Sequence, residues 1–183
     1  MYKKYKSMQD LTMRSVLSAA PCFSGSAMLN GARSWLSMEA YCGKYVLILF
    51  YPSNFVQSAA KEMLAFNEVL PQLDKLHCAL IAITPDSVES HMAWYRAPLE
   101  SNGLNGAIRF PLVADKNLSI CRSFGVLREN KGNALRSLFV VDPNRKIRFV
   151  MSMDLCVRCS VQEILSCVQD LIAEDERQSN LSG

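Results

Sequence analysis

An α/β fold is predicted by three observations: apolar runs of strand length, amphipathic runs of helical period, and the alternation of the two along the chain. The clearest strand is "KYVLILFY" (44–51), apolar throughout and too short for a buried helix, so both of its faces are expected in the core. "CALIAIT" (78–84) and "RSLFVVD" (136–142) read as strands buried in the same way. "KIRFVMSM" (146–153) carries charge at its start and is expected at a sheet edge. Between the strands, residues 58–76 place Met63, Phe66 and Leu70 on one side at helical spacing, and Pro71 is expected to kink or interrupt that helix. Asp86 and Glu89 have the spacing of a capping box that opens "SVESHMAWYRA", and "APLESNGLNGA" reads as loop. "LSICRSF" forms a short helix stopped by Gly125. Ser160 and Glu163 form a second capping box, ahead of a helix that turns Ile164, Val168, Leu171 and Ile172 inward. After Ala173 the polar tail "EDERQSNLSG" is expected to fray.

The 183 residues fit one domain with a real core, and half of them are hydrophobic, too many for a disordered chain. A net charge of +3 gives no reason to expect nucleic-acid binding. No apolar run has the length of a membrane span. Seven cysteines, scattered through mostly apolar segments, read as free thiols of an intracellular protein rather than a disulfide framework. The N-terminus is basic and hydroxyl-rich with one acid, Asp10. It reads as a solvated arm of a cytoplasmic protein, the alternative being a mitochondrial presequence.

The corner "YPSNFVQSAAKEM" (51–63) joins the central strand to a helix N-terminus, where unpaired N–H groups and the helix dipole favour anions. A cysteine in that first turn would be held as a reactive thiolate. The residues there are Val56, Gln57, Ser58, Ala59 and Ala60, none of which is a strong nucleophile.

"GKYVLILFYPSNF", "HMAWYRAP", "GLNG…FPLVAD", "FGVLRENKG", "RSLFVVD" and "DLCVRCSVQEIL" stand in the order and near the spacing of the typical two-cysteine peroxiredoxins, the AhpC/TSA family, which this chain resembles from about Arg14 to Gln178. The resemblance implies a thioredoxin-like fold, a central mixed sheet flanked by helices. It divides the chain into a flexible arm (1–13), a peroxiredoxin-like domain (14–178) and a truncated tail (179–183). It implies homodimers or larger rings, with "KIRFVMSM" as the pairing edge and an active paralogue as a conceivable partner. The family's Pro-x-x-x-Thr-x-x-Cys motif falls on Pro52, Val56 and Ala59, so the proline is kept while the peroxide-binding hydroxyl and the peroxidatic sulfur are replaced. The glutamate that follows the motif is kept as Glu62, and the arginine of the "RGLF" segment as Arg136. The family's catalytic arginine falls on Cys159, beside Arg158, and its resolving-cysteine motif falls on Asn180-Leu181-Ser182. A degenerate peroxiredoxin without its peroxidatic and resolving thiols is the result, with no catalytic residue expected.

Two readings of "CVRC" remain open: a relocated redox pair, Cys159 with Cys156, or two small apolar side chains ahead of a helix. A metal site is not expected, since there is no second C-x-x-C and neither His77 nor His91 has ligand spacing to it. No cofactor is expected either. His91 and Trp94 read as packing and hydrogen-bonding residues, and Arg136 equally as an ion-pair partner of Glu62.

Overall fold

The structure is a computed structural model that describes residues 13–153 and 160–181. Strands β1 (Ser24–Leu29), β2 (Ala32–Ser37), β3 (Tyr45–Phe50), β4 (Cys78–Thr84), β5 (Leu112–Ala114), β8 (Ser137–Val141) and β9 (Ile147–Ser152) form one mixed sheet in the order β2-β1-β5-β4-β3-β8-β9. Short strands β6 (Leu127–Arg128) and β7 (Asn133–Ala134) make a separate ribbon. The helices are α1 (Gln57–Glu68), α2 (Leu70–Lys75), α3 (Val88–Arg96), α4 (Ser119–Ser123) and α5 (Val161–Leu181).

β3 and β4 run parallel at the centre, with β8 antiparallel on the far side of β3. All six residues of β3 are buried, because its alternate side chains enter different cores. Leu47 and Leu49 join a cluster with Met63, Phe66, Trp94, Ile164 and Val168, beneath α1, α3 and α5. Val46, Ile48 and Phe50 join the opposite cluster, where the Phe50, Phe124 and Phe139 rings meet at centroid distances of 5.1–5.7 Å. Strands 44–51, 78–84 and 136–142 are thus buried as expected, and β9 lies at a sheet edge.

The helix expected over 58–76 is divided. α1 ends at Glu68, Val69 sits between the two helices, and Pro71 occupies the first turn of α2, where a missing N–H breaks no helical bond. Gly125 follows α4 with φ 70°. Two expectations are corrected. The cap of α3 is Ser87, whose Oγ accepts from the Ser90 N–H, while the Asp86 carboxylate turns away to accept from the Asn54 N–H. The chain also stays helical beyond Ala173 as far as Leu181. A polar composition does not end that helix because Asp175 is anchored: it accepts from the Tyr45 hydroxyl and forms an ion pair with Arg148 at 2.8 Å. At the start of α5 the Ser160 hydroxyl accepts from the Glu163 N–H at 3.3 Å, the amide half of the expected capping box.

The sequence expectation contains no strand before residue 44, whereas the fold places the β1–β2 hairpin there. β1 and β2 pair over all six residues of each strand.

Candidate active site

The corner between β3 and α1 is built by its backbone. Pro52 is buried just beyond β3, and Phe55 adopts a left-handed conformation (φ 59°) that turns the chain into the helix. Such a φ strains a side-chain-bearing residue, so the surroundings must hold it.

They do so through Asn54. Its N–H donates to Asp86 Oδ2 at 2.6 Å, its Oδ1 accepts from the Tyr51 hydroxyl at 2.9 Å, and its Nδ2 donates to Ser90 Oγ at 2.8 Å. The same Nδ2 lies 3.1 Å from His91 Nδ1, which therefore acts as acceptor and leaves the ring proton on Nε2. Both Asn54 and His91 are buried. Burial drives the imidazole pKa down to about 4, against the opposing pull of the Val113 backbone and the Asp86 and Glu89 charges. Among the described residues Nε2 meets no partner within hydrogen-bond geometry. His91 is thus a neutral structural residue, as its sequence context implies, and Trp94 beside it is fully buried with its Nε1 donating to the Asn102 carbonyl at 2.7 Å.

Beyond Phe55 the helix begins without side-chain help. Val56 is the N-cap residue, half-buried, with no capping hydrogen bond, and the first turn of α1 contains no acid. Ala59 lies in that turn and is buried, as is Ala60. Here the helix dipole and free amides would stabilise a negative sulfur, but the side chain is a methyl group.

One turn further on, Glu62 meets Arg136 from the entrance to β8. Arg136 Nε lies 2.9 Å from Glu62 Oε2, and its Nη2 lies 2.6 Å from Oε1. The pair is bidentate, with the two side chains only 9% and 10% exposed. Of the two roles open to Arg136 in the sequence, the ion pair with Glu62 is therefore seen directly.

Cys156, Arg158 and Cys159 lie outside the described residues, as does Ser182 of the expected resolving-cysteine position. Among the described cysteines, burial pushes the Cys78 thiol up to about 12. It also raises Cys121, where the nearby Asp115 carboxylate adds to the effect, and Cys167, beside Asp170. These three are held as thiols rather than nucleophilic thiolates. Cys22 and Cys42 are exposed. Among the described residues no group of three or more His, Cys, Asp or Glu side chains is placed to hold a metal ion, and no helix is long and apolar enough to cross a membrane.

Residues 16–150 match the model of the AhpC/TSA family. The chain belongs to this family. Its relatives include peroxiredoxin 2 of Drosophila melanogaster, 36% identical over 157 residues that cover 86% of this chain and 80% of that protein. The mitochondrial thioredoxin-dependent peroxide reductase of Homo sapiens is 37% identical over 155 residues, 85% of this chain and 60% of the human protein. In three dimensions the chain is similar to the reduced 2-Cys peroxiredoxin of Plasmodium vivax, with a TM-score of 0.84 and 27% identity over 88% of this chain and 83% of that one. The thioredoxin-like fold implied by the sequence motifs is therefore the fold of this AhpC/TSA member. Within it the Asn54 network was not foreseen. The sequence signal for it was modest: an Asn two residues past the corner proline, and a Ser-His pair on the helix opposite.

Proposed function

We propose that this AhpC/TSA family member has lost thiol peroxidase chemistry at its β3–α1 corner and acts through assembly or partner binding. The observation that carries the reading is Ala59, a buried methyl in the first turn of α1, in a corner whose backbone turn and Glu62–Arg136 pair are kept. Peroxide reduction needs a thiolate to attack the O–O bond and become a sulfenic acid. Neither Ala59 nor the neighbouring Ser58, which has no histidine beside it in the sequence, supplies such a group. Val56 replaces the hydroxyl that the family resemblance places against the peroxide. The polar clamp on Asn54 and the Glu62–Arg136 pair hold the shape of the corner without it.

A fold retained without its nucleophile directs attention to its surfaces. The resemblance points to homodimers or rings formed through the β9 edge, and to an active paralogue as a second kind of partner. The compartment we favour is the cytoplasm, with the mitochondrion, where the human relative is placed by its name, as the alternative.

The test is hydrogen peroxide consumption by the purified protein with excess dithiol, compared with a Cys156→Ser/Cys159→Ser double variant. A rate no greater than that of simple free thiols, equal in both proteins, supports the proposal. Fast turnover that disappears in the double variant assigns the chemistry to the C-x-x-C pair and refutes it.

A further inference from the structure

The second edge of the sheet is β2, and its backbone is arranged to accept another strand. Asn30 (φ 50°) and Gly31 (φ 76°) are both left-handed, the signature of a two-residue type I′ turn. Such a turn is closed by a hydrogen-bonded pair, here Leu29 with Ala32, and hydrogen-bonded pairs then alternate along the ladder. Ala27–Ser34 and Gly25–Leu36 follow, and the alternation continues past the strands, where the Met38 N–H donates to the Phe23 carbonyl at 2.9 Å. The N–H and C=O groups of Arg33, Trp35 and Ser37 therefore point away from β1, toward the open edge.

Natural edge strands are guarded by proline, bulges or charges that deter pairing. β2 has no proline, its ladder with β1 has no register shift, and its one charge, on Arg33, is drawn onto Glu89 of α3. At the middle of β2 stands Trp35, 68% exposed.

We infer that β2 is a self-association edge, on which a second copy of this chain docks antiparallel about a two-fold axis through Trp35. In that register Trp35 faces Trp35 of the partner copy, Arg33 faces Ser37, and Ser34 faces Leu36. The facing pairs formed by residues 33, 35 and 37 exchange both of their backbone hydrogen bonds, and no like charges meet. An interface of this kind is isologous and closed. On the β1 side of Trp35 lies a cavity of about 470 Å³, lined by Ser24, Gly25 and Ser26 and by Ser87, Val88 and Glu89 of the α3 entrance. The edge is separate from β9 at the far side of the sheet, and the inference does not depend on the loss of peroxidase chemistry.

The chain has two tryptophans, and Trp94 is fully buried, so a change of tryptophan emission on dilution reports Trp35. Sedimentation and emission are followed together across a dilution series of the full chain, beside Trp35→Phe, Trp35→Lys and Trp35→Pro. Proline is tolerated at this edge position because the N–H it removes bonds to nothing among the described residues of the subunit. Trp35→Lys sets two like charges face to face while leaving the backbone intact. The expected result is an emission maximum that moves to the red as the wild-type assembly dissociates, and no shift in Trp35→Phe. Self-association through this edge should weaken at least tenfold in Trp35→Lys and Trp35→Pro. Assembly with unchanged Trp35 emission, or equal to wild type in Trp35→Lys, places the contact elsewhere and overturns the inference. A wild-type chain that stays monomeric at every concentration overturns it as well.

Discussion

Protonation of His91 should unfasten the corner, and the size of the effect follows from its burial. An unfolded histidine titrates near 6.5, while in the fold His91 is driven down to about 4 by burial. Above pH 6.5 the ring is neutral in both states, and the stability from this group is fully present. As the pH falls, the unfolded chain takes up the proton first, so stability is lost progressively until the folded ring also titrates near pH 4. The gap amounts to about 3 kcal/mol in all, of which about 2 kcal/mol is lost between pH 8 and pH 5. Urea unfolding at pH 8, 6.5 and 5, at one fixed protomer concentration, measures it in the wild type and in His91→Gln. Carboxylates contribute a slope common to both proteins, so the difference between them isolates the ring. The variant should be less stable at pH 8, where it loses the bond to Asn54, and should close about 2 kcal/mol of that gap by pH 5. Parallel stability curves over this range would refute the reasoning.

Three further outcomes are expected. Glu62→Gln removes the charge from a buried bidentate pair and should destabilise the fold by about 2 kcal/mol, measured by urea titration against the wild type. Asn54→Ala removes the contacts that hold Phe55 at positive φ, so amide exchange and proteolysis should accelerate around residues 52–57 before the rest of the sheet is affected. Ala59→Cys should create a thiol with a pKa below the ordinary value near 8.5. Its alkylation should exceed that of the wild-type thiols at neutral pH, and its peroxide reactivity should increase again in Val56→Thr/Ala59→Cys.

The central sheet was legible because β3, β4 and β8 are buried on both faces, and burial of that kind writes an unbroken apolar run into the chain. The β1–β2 hairpin was not, since "SGSAML" and "ARSWLS" set only Met28, Leu29, Trp35 and Leu36 among small and polar residues and owe their strand state to pairing rather than to apolar patterning. Asn30-Gly31 was the available signal, a dipeptide whose readily adopted left-handed backbone suits the turn. The cap of α3 misled for a different reason. Asp86 and Ser87 are both good capping residues, and only the three-dimensional need of Asn54 decides which of them is free to cap. The far end of α5 likewise depends on Tyr45 and Arg148, distant in sequence, and no local pattern discloses them. At the corner, the residues that carry the proposal, Val56 and Ala59, were legible through the family resemblance. The scaffold around them, which connects β3 to α3 through Asn54, was not.

The most direct measurement treats the fully reduced protein with one equivalent of hydrogen peroxide in the presence of a sulfenic-acid trap and maps the modified cysteine by mass spectrometry over seconds. The account predicts slow, scattered labelling with no cysteine favoured. Rapid stoichiometric labelling of a single cysteine, Cys159 or Cys156 above all, would contradict it and establish a working peroxidatic sulfur.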